Sequence, residues 1–326
     1  MHISACLRSL LEQTYPSDLC EVIVVDGMSS DRSLEIVEGF CCRHANLRCL
    51  NNHAAIVPCG MNIGIRVAHG EVIIRADGHN VYPPDYVENC VRYLNQTAAD
   101  NVGGPLLTVP TDASLGAHLV AAVLTNPFGV GDSRFRIGST EGFVDTVPFG
   151  AFRRDLFDRV GMYNEKLVRN QDNELNARIR AAGGKIFQTP ALRTEYHPPA
   201  GFWKLLHTTM LTSQWHLFSL KENPGSLGIR HLTPALFVVS VVGLSLASPW
   251  SRAAFVSLLV LLLVYLSLGV NFAIRRSRSY GPLVVSTLPF ACLFFHLSYG
   301  LGTLAGVRYL FEPPSSRPIR EGQPIS

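Results

Sequence analysis

The stretch EVIVVDGMSSDRS, residues 21–33, decides how the chain is read. Its first five residues form a nearly continuous apolar run, suited to a strand covered on both faces. The cluster from Asp26 to Asp31 then supplies a turn and a helix cap, and apolar positions recur at helical spacing to about His44. Working outward, a short strand is expected near 47–50, a helix around 60–68 and a second apolar strand at 71–75. Upstream, Ile3, Cys6, Leu7, Leu10 and Leu11 also recur at helical spacing, so the chain opens in an amphipathic helix ending near Tyr15 and Pro16. Strands alternating with helices at this interval predict an α/β domain built on a parallel sheet.

Ligands of such sheets bind beyond the carboxyl ends of the strands. That rule selects Asp26, after EVIVV, and Asp77, after EVIIR. Asp26 taken alone serves equally well as a turn former. Asp77 and His79 stand two apart on an extended backbone, so both face one ligand. A carboxylate with an imidazole suits Mn²⁺ or Mg²⁺ held largely by a substrate's phosphates. A third cluster, RNQDNELN at 169–176, opens a helix that ends at Gly183 and Gly184. Its Asp172 and Glu174 are either a charged helix start, stabilised by the macrodipole, or a general base if ionised near neutral pH.

The chain of 326 residues is 47% hydrophobic and 16% charged, where ordinary domains carry roughly 25% charge. A net charge of +3 does not call for a nucleic-acid partner. The shortage of charge is local: between 232 and 274 only Arg252 is charged, and between 283 and 307 nothing is. A bilayer asks for ~20 apolar residues per span, so three spans are expected, at 232–250, 253–274 and 283–307. Pro249, Pro289, Gly300, Gly302 and Gly306 are expected to mark kinks or a re-entrant hairpin. Arg275, Arg276 and Arg278 place the intervening loop, and with it the large N-terminal region, in the cytoplasm. Arg308, Arg317 and Arg320 pull against an outward final tail. The eight cysteines lack C-x-x-C spacing and suggest neither zinc nor a disulfide framework. Residues 201–220, with Trp203, Leu206, Met210 and Leu217 near one face, read either as a helix lying at the bilayer surface or as a domain-closing helix.

EVIVVDGMSSDRS, NIGIRVAHGEVIIRADGH (62–79), VPFGAFRRDLFDRVGMYNEKLVRNQDNELNARIRAAGG (147–184) and TEYHP (194–198), in this order, resemble the family 2 glycosyltransferases. The branch they look most like is the ExoA-like one of succinoglycan and exopolysaccharide biosynthesis. The resemblance covers nearly all of residues 1–230 and implies a GT-A fold, a nucleotide-sugar donor, a divalent cation and inversion at the anomeric carbon. It implies that Asp26 holds the uridine part of the donor, with Asn62 and Arg66 near the nucleotide. Asp77 matches the metal-binding acid, with His79 in the same loop. Asp172 matches the catalytic base, with Glu174 beside it on the donor side.

The sequence departs from the family at three places. Arg75 stands where many members have a first acid, and Gln171 replaces the acid that commonly precedes the base. No Q-x-x-R-W appears, Ser213-Gln214-Trp215 being its nearest remnant, which argues for adding one sugar rather than a processive synthase. The family also begins with a strand that this chain lacks ahead of Ile3. The expectation is a misassigned start with ~15 residues missing, about one strand and a turn, or else a decayed, inactive membrane protein of the same fold. The organisation expected is a transferase domain at 1–200, an interfacial or linker helix at 201–230, membrane helices within 231–310 and a tail at 311–326. Its partners are a nucleotide-sugar, a lipid-linked sugar acceptor and the bacterial inner membrane.

Overall fold

The fold is described from a computed structural model, over residues 2–138, 140–198, 201–275 and 279–311. Arg276, Arg278, Arg317 and Arg320, used above to orient the membrane segments, lie outside the described residues. The chain divides into two compact units: the described parts of Met1–Gly104 and Glu141–Thr194, and those of Pro105–Thr140 and Glu195–Glu312.

The first unit opens with α1 (His2–Leu11), β1 (Val22–Asp26), α2 (Ser33–Cys41), β2 (Leu47–Asn51), α3 (Val57–Val67), β3 (Val72–Ile74), α4 (Tyr86–Thr97) and β4 (Asn101–Gly103). The chain between the two parts of this unit holds β5 (Leu106–Thr108), α5 (Leu115–Leu124), α6 (Pro127–Val130) and α7 (Arg134–Ile137). The first unit then resumes with β6 (Gly142–Phe143), β7 (Ala151–Arg153), α8 (Leu156–Val160), α9 (Gln171–Ala181) and β8 (Ile186–Gln188). Last comes β9 (Thr194–Tyr196), which pairs with β5 in a separate two-stranded sheet.

The alternation of strand and helix is as expected, but the sheet is mixed rather than parallel. β1 and β2 pair in parallel, and β4 and β8 do so in a five-stranded sheet ordered β3-β7-β4-β8-β6. Within it β7 lies antiparallel between β3 and β4. A strand arriving some fifty residues after β4 inserts there because Ala151 and Phe152 fill the core, where Phe152 meets Ile73 and Ile186.

β1 is only half-buried along its length. It pairs on one side alone, and it and β3 are both sheet edges among the described residues. Its period-2 pattern still sorts the faces. Val22 and Val24 pack with Leu7, Phe40 and Leu47, while Ile23 packs against the cluster of Ile65, Ile73 and Phe152. α1 divides in the same way by helical spacing, Leu7 joining the first cluster and Cys6 a third one with Tyr82, Tyr86 and Leu94.

The second unit adds α10 (Phe202–Ser213), α11 (His216–Glu222), α12 (Thr233–Ala247), α13 (Arg252–Arg275) and α14 (Pro282–Ala305). The helix expected over 201–220 is thus two helices, broken at Gln214 and Trp215, both buried. Trp203 is 75% exposed and Leu205 on the other face is buried, so α10 is amphipathic.

Among the described residues two helices, not three, are long and apolar enough to cross a membrane: Arg252–Arg275, with mean hydropathy 2.6, and Pro282–Leu310, with 1.5. The first expected span yields only the 15 residues of α12, about 22 Å at 1.5 Å per residue against roughly 30 Å of hydrocarbon. α14 runs through Pro289 without a break, and its glycines serve packing rather than kinking. A Cβ on Gly300 would stand 2.3 Å from the Pro234 carbonyl oxygen, and one on Gly302 2.1 Å from the Ser213 hydroxyl. Those positions let α12 and α10 approach α14 closely.

Candidate active site

β3 and α9 carry the site, and one core fixes both. β3 contributes Ile73 to the cluster that α9 enters through Leu175 and Ile179. Arg75 and Asp77 follow directly from β3, and Asp172 occupies the first turn of α9. Asn170, in the left-handed region at φ 64°, turns the chain into that helix.

The two segments meet at Arg75. Its Nη1 donates to Asp172 Oδ1 at 2.5 Å, its Nε to Asp77 Oδ1 at 3.1 Å and its Nη2 to Asp77 Oδ2 at 3.5 Å. The Arg75 side chain is 4% exposed, against 15% for Asp77 and 30% for Asp172. The Phe149 ring lies beneath the guanidinium, 5.4 Å from centroid to Cζ, and the Arg75 N–H donates to the Gly150 carbonyl. Burial opposes the charge on Arg75, but Asp172 and then Asp77 outweigh it and hold the guanidinium well above its ordinary value. The Asp172 carboxyl is pushed above the usual aspartate range by burial and by Asp77, against the pull of Arg75. Burial, then the charge of Asp172, raises the Tyr163 phenol as well. Removing one partner from such a buried ion pair costs about 3–5 kcal/mol.

Asp77 is held from behind. Its N–H donates to the Tyr82 hydroxyl at 2.8 Å, and its carbonyl receives the Cys6 thiol and the Asn80 N–H. Burial, then Asp77, pushes the Cys6 thiol up to about 12. His79 lies in the same turn and is half-buried. Among the described residues no group of three or more His, Cys, Asp or Glu gathers as a metal cage.

Asp26 sits apart from this pair, at the end of β1. Both its carboxylate oxygens are engaged by Ser29, one by the hydroxyl at 2.5 Å and one by the N–H at 3.0 Å. Asn62, Arg66 and Glu174 do not meet Asp77 or Asp172 in any hydrogen bond or ion pair described for them. Their contacts converge instead on residues 160–165. The Asn62 amide donates to the Tyr163 carbonyl and to Glu165 and accepts from the Tyr163 N–H. Arg66 pairs with Glu165 at 3.6 Å. Buried Glu174 pairs with Arg178, whose guanidinium donates to the carbonyls of Val160, Gly161 and Met162. The sequence reading missed Phe149, Tyr82 and Tyr163: Phe149 and Tyr163 come from distant segments, and no spacing signal marks Tyr82, five residues past Asp77.

The chain matches the family model "Glycosyl transferase family 2" over residues 2–161. It is 26% identical over 303 residues to the succinoglycan biosynthesis protein ExoA of Rhizobium meliloti, covering 92% of this chain and 89% of that one. It is 22% identical over 310 residues to a dolichyl N-acetyl-α-D-glucosaminyl phosphate 3-β-D-2,3-diacetamido-2,3-dideoxy-β-D-glucuronosyltransferase of Methanococcus voltae, covering 92% and 91%. Among solved structures, the mannosyltransferase PcManGT of Pyrobaculum calidifontis, in complex with GDP-Man and Mn²⁺, superposes with a TM-score of 0.59 at 18% identity. That match covers 93% of this chain and 83% of the other, and the fold shared is the GT-A fold expected. Residues 2–161 of the chain thus form a glycosyl transferase family 2 domain.

Proposed function

We propose that this chain is a membrane-anchored, inverting glycosyltransferase. It moves a single sugar from a nucleotide-sugar donor of the UDP-hexose class to a lipid-linked oligosaccharide acceptor in exopolysaccharide biosynthesis. The observation that carries the reading is the convergence of Asp77 and Asp172, from segments ninety-odd residues apart, on one buried guanidinium. Two carboxylates at one site, one from a strand end and one from a helix start, match the division of labour that inverting transfer asks for.

In this reading Asp172 takes the proton from the acceptor hydroxyl as that oxygen attacks the anomeric carbon. The bond from that carbon to the diphosphate breaks, and the nucleoside diphosphate leaves as an anion, so no general acid is required. A carboxyl held above the ordinary aspartate range is the more basic acceptor once ionised. Asp77, with His79 beside it, would hold a divalent cation, Mn²⁺ or Mg²⁺. The donor set fits such an ion only when substrate completes it: one partly exposed carboxylate, with the donor's phosphates and water filling the rest. Bound there, the ion neutralises charge on the departing diphosphate. Asp26 holds the uridine end. Asn62, Arg66 and Glu174 act on the donor side by fixing residues 160–165, where all their contacts described above converge.

The membrane anchor is supported by α13, whose most apolar stretch is only 6% buried. In this reading the N-terminal region lies in the cytoplasm at the bacterial inner membrane, on the side where Arg275 ends α13. The lipid-linked acceptor is supported by the dolichyl N-acetyl-α-D-glucosaminyl phosphate in the name of the Methanococcus voltae relative. The further strand that the resemblance implies is supported by β1 and β3 both being sheet edges among the described residues and by Ile23 and Ile73 sharing one cluster.

The test is nucleotide release by the full chain with Mn²⁺, UDP-sugars and a polyprenyl-diphosphate-linked acceptor, for wild type and Asp172→Asn. Equal rates in both remove Asp172 as the base, and no sugar transfer by the wild type refutes the assignment.

A further inference from the structure

Arg75 reads in the sequence as a lost acid. In the fold it is the most enclosed charge of the site, and its donors are unevenly shared. Nη1 holds Asp172 at 2.5 Å, whereas Nε and Nη2 hold Asp77 at 3.1 and 3.5 Å. One positive charge therefore faces two carboxylates in a pocket where the guanidinium is 4% exposed, and water is not at hand to replace either partner. The Phe149 ring covers one face of the guanidinium, and the backbone bond to the Gly150 carbonyl fixes the stem from which it reaches. Any movement it makes is a shift of share between Asp77 and Asp172.

Resting on the reading that Asp77 receives a divalent cation, we propose that Arg75 is a positioning residue shared between the two acids. Loading a cation on Asp77 hands the guanidinium over to Asp172. A cation needs the Asp77 oxygens that Nε and Nη2 now occupy with the longer bonds. As those bonds give way, Asp172 remains the partner of Arg75 and is held at one point while its second oxygen faces the acceptor. The donor side and the base are thereby linked through one side chain. The linkage is reciprocal: removing the Asp172 carboxylate leaves Arg75 wholly to Asp77 and weakens cation binding there.

The experiment measures direct Mn²⁺ binding to the full chain in detergent, by the electron paramagnetic resonance signal of free Mn²⁺, with saturating UDP and in parallel with GDP. Four proteins form a cycle: wild type, Asp172→Asn, Arg75→Met and the double variant. Losing the Asp172 charge weakens Mn²⁺ binding through space in both backgrounds, so the part carried by Arg75 is the difference between them. We expect Asp172→Asn to weaken Mn²⁺ binding at least about threefold more with Arg75 present than with Met, a coupling usual for groups in one ion-pair network. Arg75→Lys replaces Met if the Met variant does not fold, because an ammonium is a point donor that does not span both carboxylates. Equal effects of Asp172→Asn in both backgrounds overturn the shared-arginine proposal and leave the metal reading standing. Absence of Mn²⁺ binding by the wild type with either nucleotide overturns that reading and this proposal together.

Discussion

Asn62 separates a ligand-binding reading from a structural one, and Asn62→Ala tests it. The residue is 2% exposed, and its amide makes three hydrogen bonds, to the Tyr163 carbonyl at 2.9 Å, from the Tyr163 N–H at 2.9 Å and to Glu165 at 2.8 Å. Alanine leaves both backbone groups of Tyr163 buried without a partner. Each such group costs about 1–3 kcal/mol. The bond to Glu165, whose side chain is 46% exposed, adds little. The expected loss for the first compact unit is therefore about 3 kcal/mol.

All three tryptophans, Trp203, Trp215 and Trp250, lie in the second unit, so their fluorescence does not report this loss. Cys90 does: it is 0% exposed in the core that also holds Tyr86 and Leu94. Its maleimide labelling in the native full chain, resolved by peptide mass, follows opening of the first unit. A loss of about 3 kcal/mol speeds that labelling by about 150-fold, while Cys292 of the second unit keeps its wild-type rate. If Cys90 labels at the wild-type rate and only nucleotide binding weakens, Asn62 is a donor contact and the reasoning from its buried bonds is wrong.

Asp172→Asn lowers turnover by about 10²–10⁴-fold, the usual share of a general base, measured as nucleotide release at saturating donor. The pH profile of the wild type follows from the raised Asp172 carboxyl. Activity needs the ionised form, so its acid limb lies above the ordinary aspartate range, and the residual activity of Asp172→Asn lacks that limb. The linked stability has the opposite sense. A carboxyl raised on folding contributes stability that is fully present below its unfolded value and lost as pH rises through its folded value. Gly302→Val drives a side chain into the Ser213 hydroxyl and the Met210 carbonyl oxygen, which stand 2.1 and 2.4 Å from where its Cβ would fall. It is expected to speed labelling of the buried Cys292 by about 5- to 150-fold, a loss of about 1–3 kcal/mol being usual for overpacking. The full chain stays with the membrane fraction through alkaline carbonate washing, and release by that wash refutes the anchoring assigned to α13.

The parts of the fold legible in the sequence were those written by local pattern. The runs at 22–26 and 72–74 became strands because consecutive apolar residues have no other way to reach two clusters at period two. Asp77 and Asp172 were singled out because a strand end and a helix start are places, and sequence marks places. What sequence does not mark is which distant segments become neighbours. β7 entering between β3 and β4 is such a pairing, and it turned an expected parallel sheet into a mixed one. Residues 201–220 looked like one surface helix because their composition is apolar with Trp and Lys at one end. Burial of Gln214 and Trp215 within the second unit, where Trp215 meets Phe218 and Tyr309, divides them.

Arg75 shows why a departure from a family pattern is not read by subtraction. Counting acids, its presence removes a ligand from the site. Counting partners, it adds the one group that touches both carboxylates assigned a role. The surroundings support the second count. Phe149 adopts φ 49°, a left-handed conformation that costs a phenylalanine on the order of 1–3 kcal/mol. Such strain persists only where neighbouring structure over-determines it, and here the return is the ring under the guanidinium. Tyr82 meanwhile fixes the Asp77 backbone. A fold that strains one residue to seat a cation, and pins the backbone of that cation's partner, is organised around the arginine rather than tolerating it.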